Sequence, residues 1–217
     1  KCQGLITTEN VLEALCESRA KTLYQALHKS GELVVIDISD ADYPGSCILT
    51  VYGQKNRKRH VQYCAGMSYA KTRAAAIEKS IYELWQTYRF VDLFLATERD
   101  IDEVKDPYLK HFLNCNTYDT YKEIVRIDPC SMFASESCPV FSFSGLLATL
   151  KAQQVDGYLY VDSLSINNDS YFFCKFVSPD FFLHMNNSRG INTRNKYSQI
   201  FSAQIVAERK NMMVPFP

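Results

Sequence analysis

The stretch Gly66-Met67-Ser68, followed after five residues by Ala74-Ala75-Ala76-Ile77-Glu78-Lys79-Ser80-Ile81-Tyr82-Glu83-Leu84-Trp85-Gln86-Thr87-Tyr88-Arg89, decides how this chain is read. Ala70, Ala74, Ile77, Ile81, Leu84 and Tyr88 recur at steps of four and three, the spacing of one buried helical stripe. A long helix from Ser68 to about Phe90 is therefore predicted. Lys79, Glu83 and Gln86 lie at i, i+4 and i+7 and form a polar trio on another face. A cation, a carboxylate and an amide fixed on one helix can meet a phosphate and its metal ion. The competing reading is a solvated i, i+4 pair of the kind most surface helices carry.

Outward from that helix, the pattern alternates between helices and hairpins. Thr7 or Thr8 can cap a helix from about Glu9 to His28, with Leu12, Leu15, Cys16, Leu23, Ala26 and Leu27 on its apolar side. Leu33 to Ile38 and Cys47 to Tyr52 read as strands joined through Tyr43-Pro44-Gly45. Short helices are expected at Tyr108 to Leu113 and Ser144 to Ala152. A second hairpin is expected from Gly157 to Val177 through Asn167-Asn168-Asp169. The fold class is α+β, with mixed sheets built from hairpins and packed with long helices. The polar segment 186–195 reads as a loop, and Val214-Pro215-Phe216-Pro217 as a stiff extended tail.

The 217 residues carry 24 basic and 24 acidic side chains, so no net field points to nucleic acid or to an anionic membrane. No apolar run approaches a membrane span. The basic run Lys55-Asn56-Arg57-Lys58-Arg59-His60 has no interleaved aromatics and reads as a solvated loop. Eight cysteines are scattered without a Cys-x-x-Cys pair, and the four histidines lie apart from them. This suits reduced, buried thiols in a cytoplasmic protein, without structural zinc. Phosphate loops of the Gly-x-x-x-x-Gly-Lys-Ser/Thr and Gly-x-Gly-x-x-Gly types are absent from the sequence.

On the first predicted helix Glu9, Glu13 and Glu17 stand at i, i+4 and i+8, with Lys21 one step further. Like charges at this spacing repel by a few tenths of a kcal/mol per pair. A divalent cation or a basic partner would relieve that repulsion, and oxygen ligands on fixed elements suit Mg²⁺. Otherwise the stripe is a solvated acidic face balanced by Arg19 and Lys21. On one continuous helix Glu9 and Glu17 would stand about 12 Å apart at 1.5 Å per residue, so the two would serve different ions or groups.

In order, these features resemble the YcaO family. Gly4-Leu5 before Glu9, then Ala14-Leu15-Cys16-Glu17, is similar to that family's entry into a helix bearing nucleotide-site carboxylates. Asp37 stands where the family has a strand ending in Asp-Leu-Thr. Lys79, Glu83, Gln86 and Arg89 match its basic residue, glutamate, glutamine and arginine. The Tyr158 to Val177 hairpin fits its last strands, and Pro215-Phe216-Pro217 its proline-rich end. Four positions depart: Ala20 replaces a glutamate, Lys21 and Lys79 replace arginines, and Met213 stands where the C-terminal pattern could carry a third proline. The resemblance implies that residues 1–217 are the C-terminal portion of a YcaO domain, with the upstream half missing and a proline-rich tail at 213–217.

It further implies an ATP- and Mg²⁺-dependent cyclodehydratase that phosphorylates a backbone amide oxygen and turns Ser or Cys residues of a ribosomally made precursor peptide into oxazoline or thiazoline rings. Such an enzyme works in peptide antibiotic biosynthesis. Its implied partners are the precursor peptide, a peptide-recognising subunit and a flavin-dependent dehydrogenase subunit, with no nucleic acid and no membrane. The implied cofactor contacts are Glu9, Glu13, Glu17, Lys21, Lys79, Glu83 and Gln86, with Glu9, Glu17 and Glu83 holding the metal. The carboxylate of Pro217 is the implied catalytic group. Ala20 favours an alternative, a non-catalytic scaffold of the same fold that binds peptide or subunits. An unrelated α/β protein with solvated charged faces is the third reading.

Overall fold

The computed structural model describes residues 4–55, 61–126, 140–181, 196–199 and 203. These fall into two compact units divided within a helix, between Leu146 and Leu147. In the first unit four strands, β1 (Gly4–Ile6), β2 (Glu32–Asp37), β3 (Ser46–Gly53) and β4 (Tyr63–Ala70), form one antiparallel sheet in chain order. Helices α1 (Thr8–Ala14) and α2 (Ala20–Ser30) link β1 to β2. Helix α3 (Arg73–Ala96) follows β4. A 3₁₀ turn at Ile101–Glu103, then α4 (Pro107–Asn114), α5 (Tyr118–Val125) and α6 (Phe143–Ala152), complete the series.

Both faces of the sheet are covered, and period-two alternation divides the side chains between them. Val35, Ile48, Tyr52, Cys64 and Ala70 enter the core shared with α1, α2 and α3. Ile36, Leu49, Val51, Tyr63 and Ala65 face the other way, onto Tyr121 of α5. That is why β3 reads as a continuous apolar run rather than an alternating one.

The helix predicted from Ser68 begins later. Gly66, Met67 and Ser68 belong to β4, and Thr72 caps α3 by accepting the Ala75 N–H at 3.2 Å. Strand β4 and the three-residue β1 were missed, because neither carries the β-branched run that marks a strand. The helix buries Ala76, Ile77, Ser80, Ile81, Leu84, Thr87 and Val91, while Ala74 is exposed. Gly66 explains the rotation from the predicted stripe. A Cβ there would overlap the Ser80 carbonyl and the Leu84 amide, so the bare strand lets the helix backbone rest on the sheet. The Ser80 hydroxyl is satisfied in that contact by the Ile77 carbonyl at 2.8 Å and by Thr50 Oγ1 at 2.7 Å.

The single helix expected from Glu9 to His28 is two helices. Thr7 caps α1 as anticipated, accepting from the Asn10 N–H at 3.3 Å. The chain then turns through 15–18. The Ser18 hydroxyl competes locally with the helical ladder, accepting the Ala20 N–H at 3.0 Å. Cys16, expected on the apolar side, is exposed in this turn.

The second unit contains β5 (Tyr158–Ile166) and β6 (Asp169–Val177), the predicted hairpin, and the short α7 (Lys196–Gln199). Asn167 and Asn168 both have positive φ, the signature of a two-residue type I′ turn. Asp180 and Ser178 close the open end by hydrogen bonds to the Asp156 backbone. The pairing puts Tyr158, Tyr160, Leu164, Tyr171 and Phe173 on one face, and Leu159, Val161, Phe172 and Phe176 on the other. All of them are exposed. No helix among the described residues is long and apolar enough to cross a membrane. Segment 186–195 and the tail at 213–217 lie outside the described residues, as do 56–60 of the basic run.

Gly66→Ala should therefore lower stability by about 1–3 kcal/mol or more through overpacking against the α3 backbone. Urea unfolding measures it; an unchanged midpoint would contradict the contact.

Candidate functional site

The α1–α2 turn and α3 meet through one polar contact. The Ser18 hydroxyl donates to Glu78 Oε1 at 2.7 Å, and both side chains are half-buried. Glu78 was not singled out from sequence. It falls outside the i, i+4, i+7 trio, and nothing in the local pattern links it to Ser18, sixty residues earlier. This contact places Glu17 beside α3, one residue from the Ser18–Glu78 bond.

Lys79, Glu83 and Gln86 lie along α3 at the predicted helical spacing, and all three are exposed. Glu9 on α1, Glu13 on α1 and Glu17 in the turn are also exposed, while Lys21 on α2 is half-buried. No ion pair or side-chain hydrogen bond engages these seven among the described residues. The break at 15–18 removes the straight eight-residue separation between Glu9 and Glu17 on which the 12 Å spacing relied. Glu83 is five residues beyond Glu78, about 140° further round α3. It therefore sits on a different flank from the Ser18 contact. Pro217 lies outside the described residues.

Ala20, at the position where the YcaO pattern has a glutamate, is fully buried in the core beneath α2. A carboxylate there would be desolvated without a partner, at a cost of several kcal/mol. Asp37, the strand-end acid, is tied down on both oxygens. Its Oδ1 accepts the Ser39 N–H at 3.0 Å and its Oδ2 lies 3.4 Å from Arg73 Nε. The Cys47 thiol nearby is pushed up in pKa by burial and then by the Asp37 charge.

The sequence reading set the histidines apart from the cysteines, but His111 and Cys115 lie one turn apart and touch. Nε2 and Sγ are 3.5 Å apart at the end of α4. Burial raises the Cys115 pKa, and a helix C-terminus further disfavours a thiolate, so Cys115 is a thiol rather than an activated nucleophile. Among the described residues no three His, Cys, Asp or Glu side chains gather closely enough to hold a metal ion. The Glu9, Glu13, Glu17 and Glu83 oxygens are the donor type Mg²⁺ takes, yet on these residues alone they do not make its site.

Comparison with known proteins gives this arrangement its context. No family model matches the chain. It is 34% identical over 197 residues to the microcin B17-processing protein McbD of Escherichia coli, covering 88% of this chain and 49% of that protein. A chain of the E. coli microcin synthetase McbBCD complex superposes over 99% of this chain and 54% of its own, with a TM-score of 0.73 and 31% identity. A second structure, of that complex with pro-MccB17 bound, gives a TM-score of 0.70 at 29% identity and the same coverage. The chain thus spans about half the length of the relatives it matches.

Removing the Ser18 hydroxyl should uncouple the turn from α3. In a double-mutant cycle of Ser18→Ala and Glu78→Gln by urea unfolding, a coupling of roughly 0.5–1.5 kcal/mol is expected for a half-buried, charge-assisted bond. Additive effects would show that the contact does not form. The likeness to the YcaO family read from the sequence is borne out: this chain is McbD-like in sequence and in its α+β fold.

Proposed function

We propose that this chain works within an ATP- and Mg²⁺-dependent peptide cyclodehydratase, as a subunit of a heterocycle-forming synthetase. The carrying observation is the correspondence to McbD, which extends through 88% of the chain. In the reaction, a Ser or Cys side chain of the precursor adds to the preceding amide carbon. ATP phosphorylates the former carbonyl oxygen, and loss of phosphate leaves the C=N of an azoline, with ADP as the other product. The protein's task is to align the phosphoryl group with that oxygen and to stabilise the charge that develops.

Under this reading Lys79, Glu83 and Gln86 present one polar patch to the nucleotide, and Glu9, Glu13, Glu17 and Lys21 present another. Further groups must complete each of them, because the described carboxylates do not converge by themselves. A nucleotide site shared with polypeptide outside the matched half of McbD would account for this. Exposed apolar side chains on both faces of the β5–β6 hairpin support a chain that works inside an assembly, with the precursor peptide and partner subunits such as a flavin-dependent dehydrogenase. The Pro217 carboxylate is proposed as the base or orienting group.

The second reading, a scaffold that binds peptide or subunits without turning over ATP, is favoured by the buried Ala20 at a family glutamate position. Glu83→Gln separates the two, since it keeps the side-chain volume and removes the charge. The cyclodehydratase reading expects ring formation by the assembled synthetase to fall on the order of 10²-fold or more, the scale of losing one charge-stabilising group. Mass spectrometry of the peptide counts the rings, and a parent-like rate would favour the scaffold. Extending the chain beyond Pro217 should likewise slow ring formation while leaving ATP binding in place. If the extended protein cyclises peptide normally, the tail has no catalytic part.

A further inference from the structure

A cavity of about 270 Å³ opens at the start of α3, with Ser46, Lys71, Thr72 and Arg73 on its polar side and Val140 and Phe141 as an apolar wall. None of these residues belongs to the patches above. Alternation along β3 places Ser46 on the same face as Ile48, Thr50 and Tyr52, and the Thr50–Ser80 bond shows that this face looks at α3. Ser46 pairs with Ala70, the last residue of β4, so it stands at the N-terminal end of the helix. Its side chain lines the cavity, is 6% exposed, and has no hydrogen-bond partner among the described residues. Its oxygen opens into the cavity rather than into the core, so it is available to a group bound there.

The other groups around it are also donors. Thr72 caps the helix, its hydroxyl accepting the Ala75 N–H and its carbonyl accepting the Ala76 N–H at 3.0 Å. The N–H groups of Arg73 and Ala74 then remain outside the helical ladder, at the positive end of a 24-residue helix. The Lys71 side chain is exposed and makes no ion pair among the described residues. Arg73 faces the Asp37 carboxylate through Nε, which leaves the two Nη groups for another acceptor. Two cations stand against one carboxylate. Gly45 forms part of the cavity floor at φ +104°, and a Cβ there would crowd the Ala70 carbonyl and the Tyr69 ring.

We infer that this cavity binds a phosphate group of a small phosphorylated ligand, held by Lys71, Arg73, the Ser46 hydroxyl and the free N–H groups at the start of α3. The donors come from three separate elements, a strand, a loop and a helix terminus, and a phosphate with its several oxygens can take more of them than a carboxylate. Arg73 lies six residues before Lys79, about 9 Å along the axis, so the site is separate from the Lys79–Glu83–Gln86 patch and does not depend on the cyclodehydratase reading.

Isothermal titration of the full polypeptide with inorganic phosphate tests this at constant ionic strength, with acetate and chloride titrated in parallel. Saturable binding of phosphate alone is expected. Lys71→Gln should weaken it roughly tenfold or more, the effect of losing one charge-assisted hydrogen bond. Ser46→Ala should weaken it several-fold. Lys122→Gln serves as the charge control, because α5 covers the opposite face of the sheet, and it should change nothing. Equal binding of acetate, phosphate binding that never saturates, or unchanged affinity in both Lys71→Gln and Ser46→Ala would each overturn the assignment. Because Lys71 is exposed, its variant keeps the test decisive even if Ser46→Ala unfolds. Ring formation by Glu83 variants is read separately, so neither failure masks the other.

Discussion

The contact on which the first unit depends is the seating of α3 on β3 and β4 at Gly66. A strand residue without a side chain lets a helix backbone reach the sheet, and Ala76 and Ser80 are small enough to follow it down. Closer approach raises the number of dispersion contacts along the helix, and it fixes the helix's rotation. Once that rotation is set, Lys79, Glu83 and Gln86 face solvent, and Glu78 turns toward the α1–α2 segment. The buried Thr50–Ser80 hydrogen bond adds direction to a contact that hydrophobic burial alone would leave free to slide.

Much of this was legible where one physical signal dominates. The strands at Leu33–Ile38 and Cys47–Tyr52, the long helix and the Asn-Asn hairpin rest on strong apolar runs or on demanding turn chemistry, and the structure contains each of them. The misses have definite causes. Strand β4 reads Tyr-Cys-Ala-Gly-Met-Ser-Tyr-Ala, and its strand character comes from pairing with β3 rather than from propensity. The break between α1 and α2 depends on Ser18 finding Glu78, sixty residues away, which no local rule encodes. The shift of the α3 stripe depends on a glycine in a different element.

The candidate residues divide along the same line. The polar trio on α3 kept its predicted spacing because it needs only an uninterrupted helix. The carboxylate series Glu9, Glu13 and Glu17 did not, because its spacing assumed one helix through a turn. The family resemblance supplied the order of motifs, and the McbD match bears it out. Ala20 shows why matching positions one by one still matters, since its full burial argues that this position cannot simply be restored to a ligand.

The central claim is that a nucleotide's phosphates meet the Lys79–Glu83 face of α3 in the assembled protein. A structure of the polypeptide with its proposed partner subunits, Mg²⁺ and a non-hydrolysable ATP analogue tests it most directly. The account predicts the terminal phosphate within hydrogen-bond distance of Lys79 and a metal ion beside Glu83. A nucleotide bound with its phosphates away from that face, or a saturated complex with none bound, would contradict it.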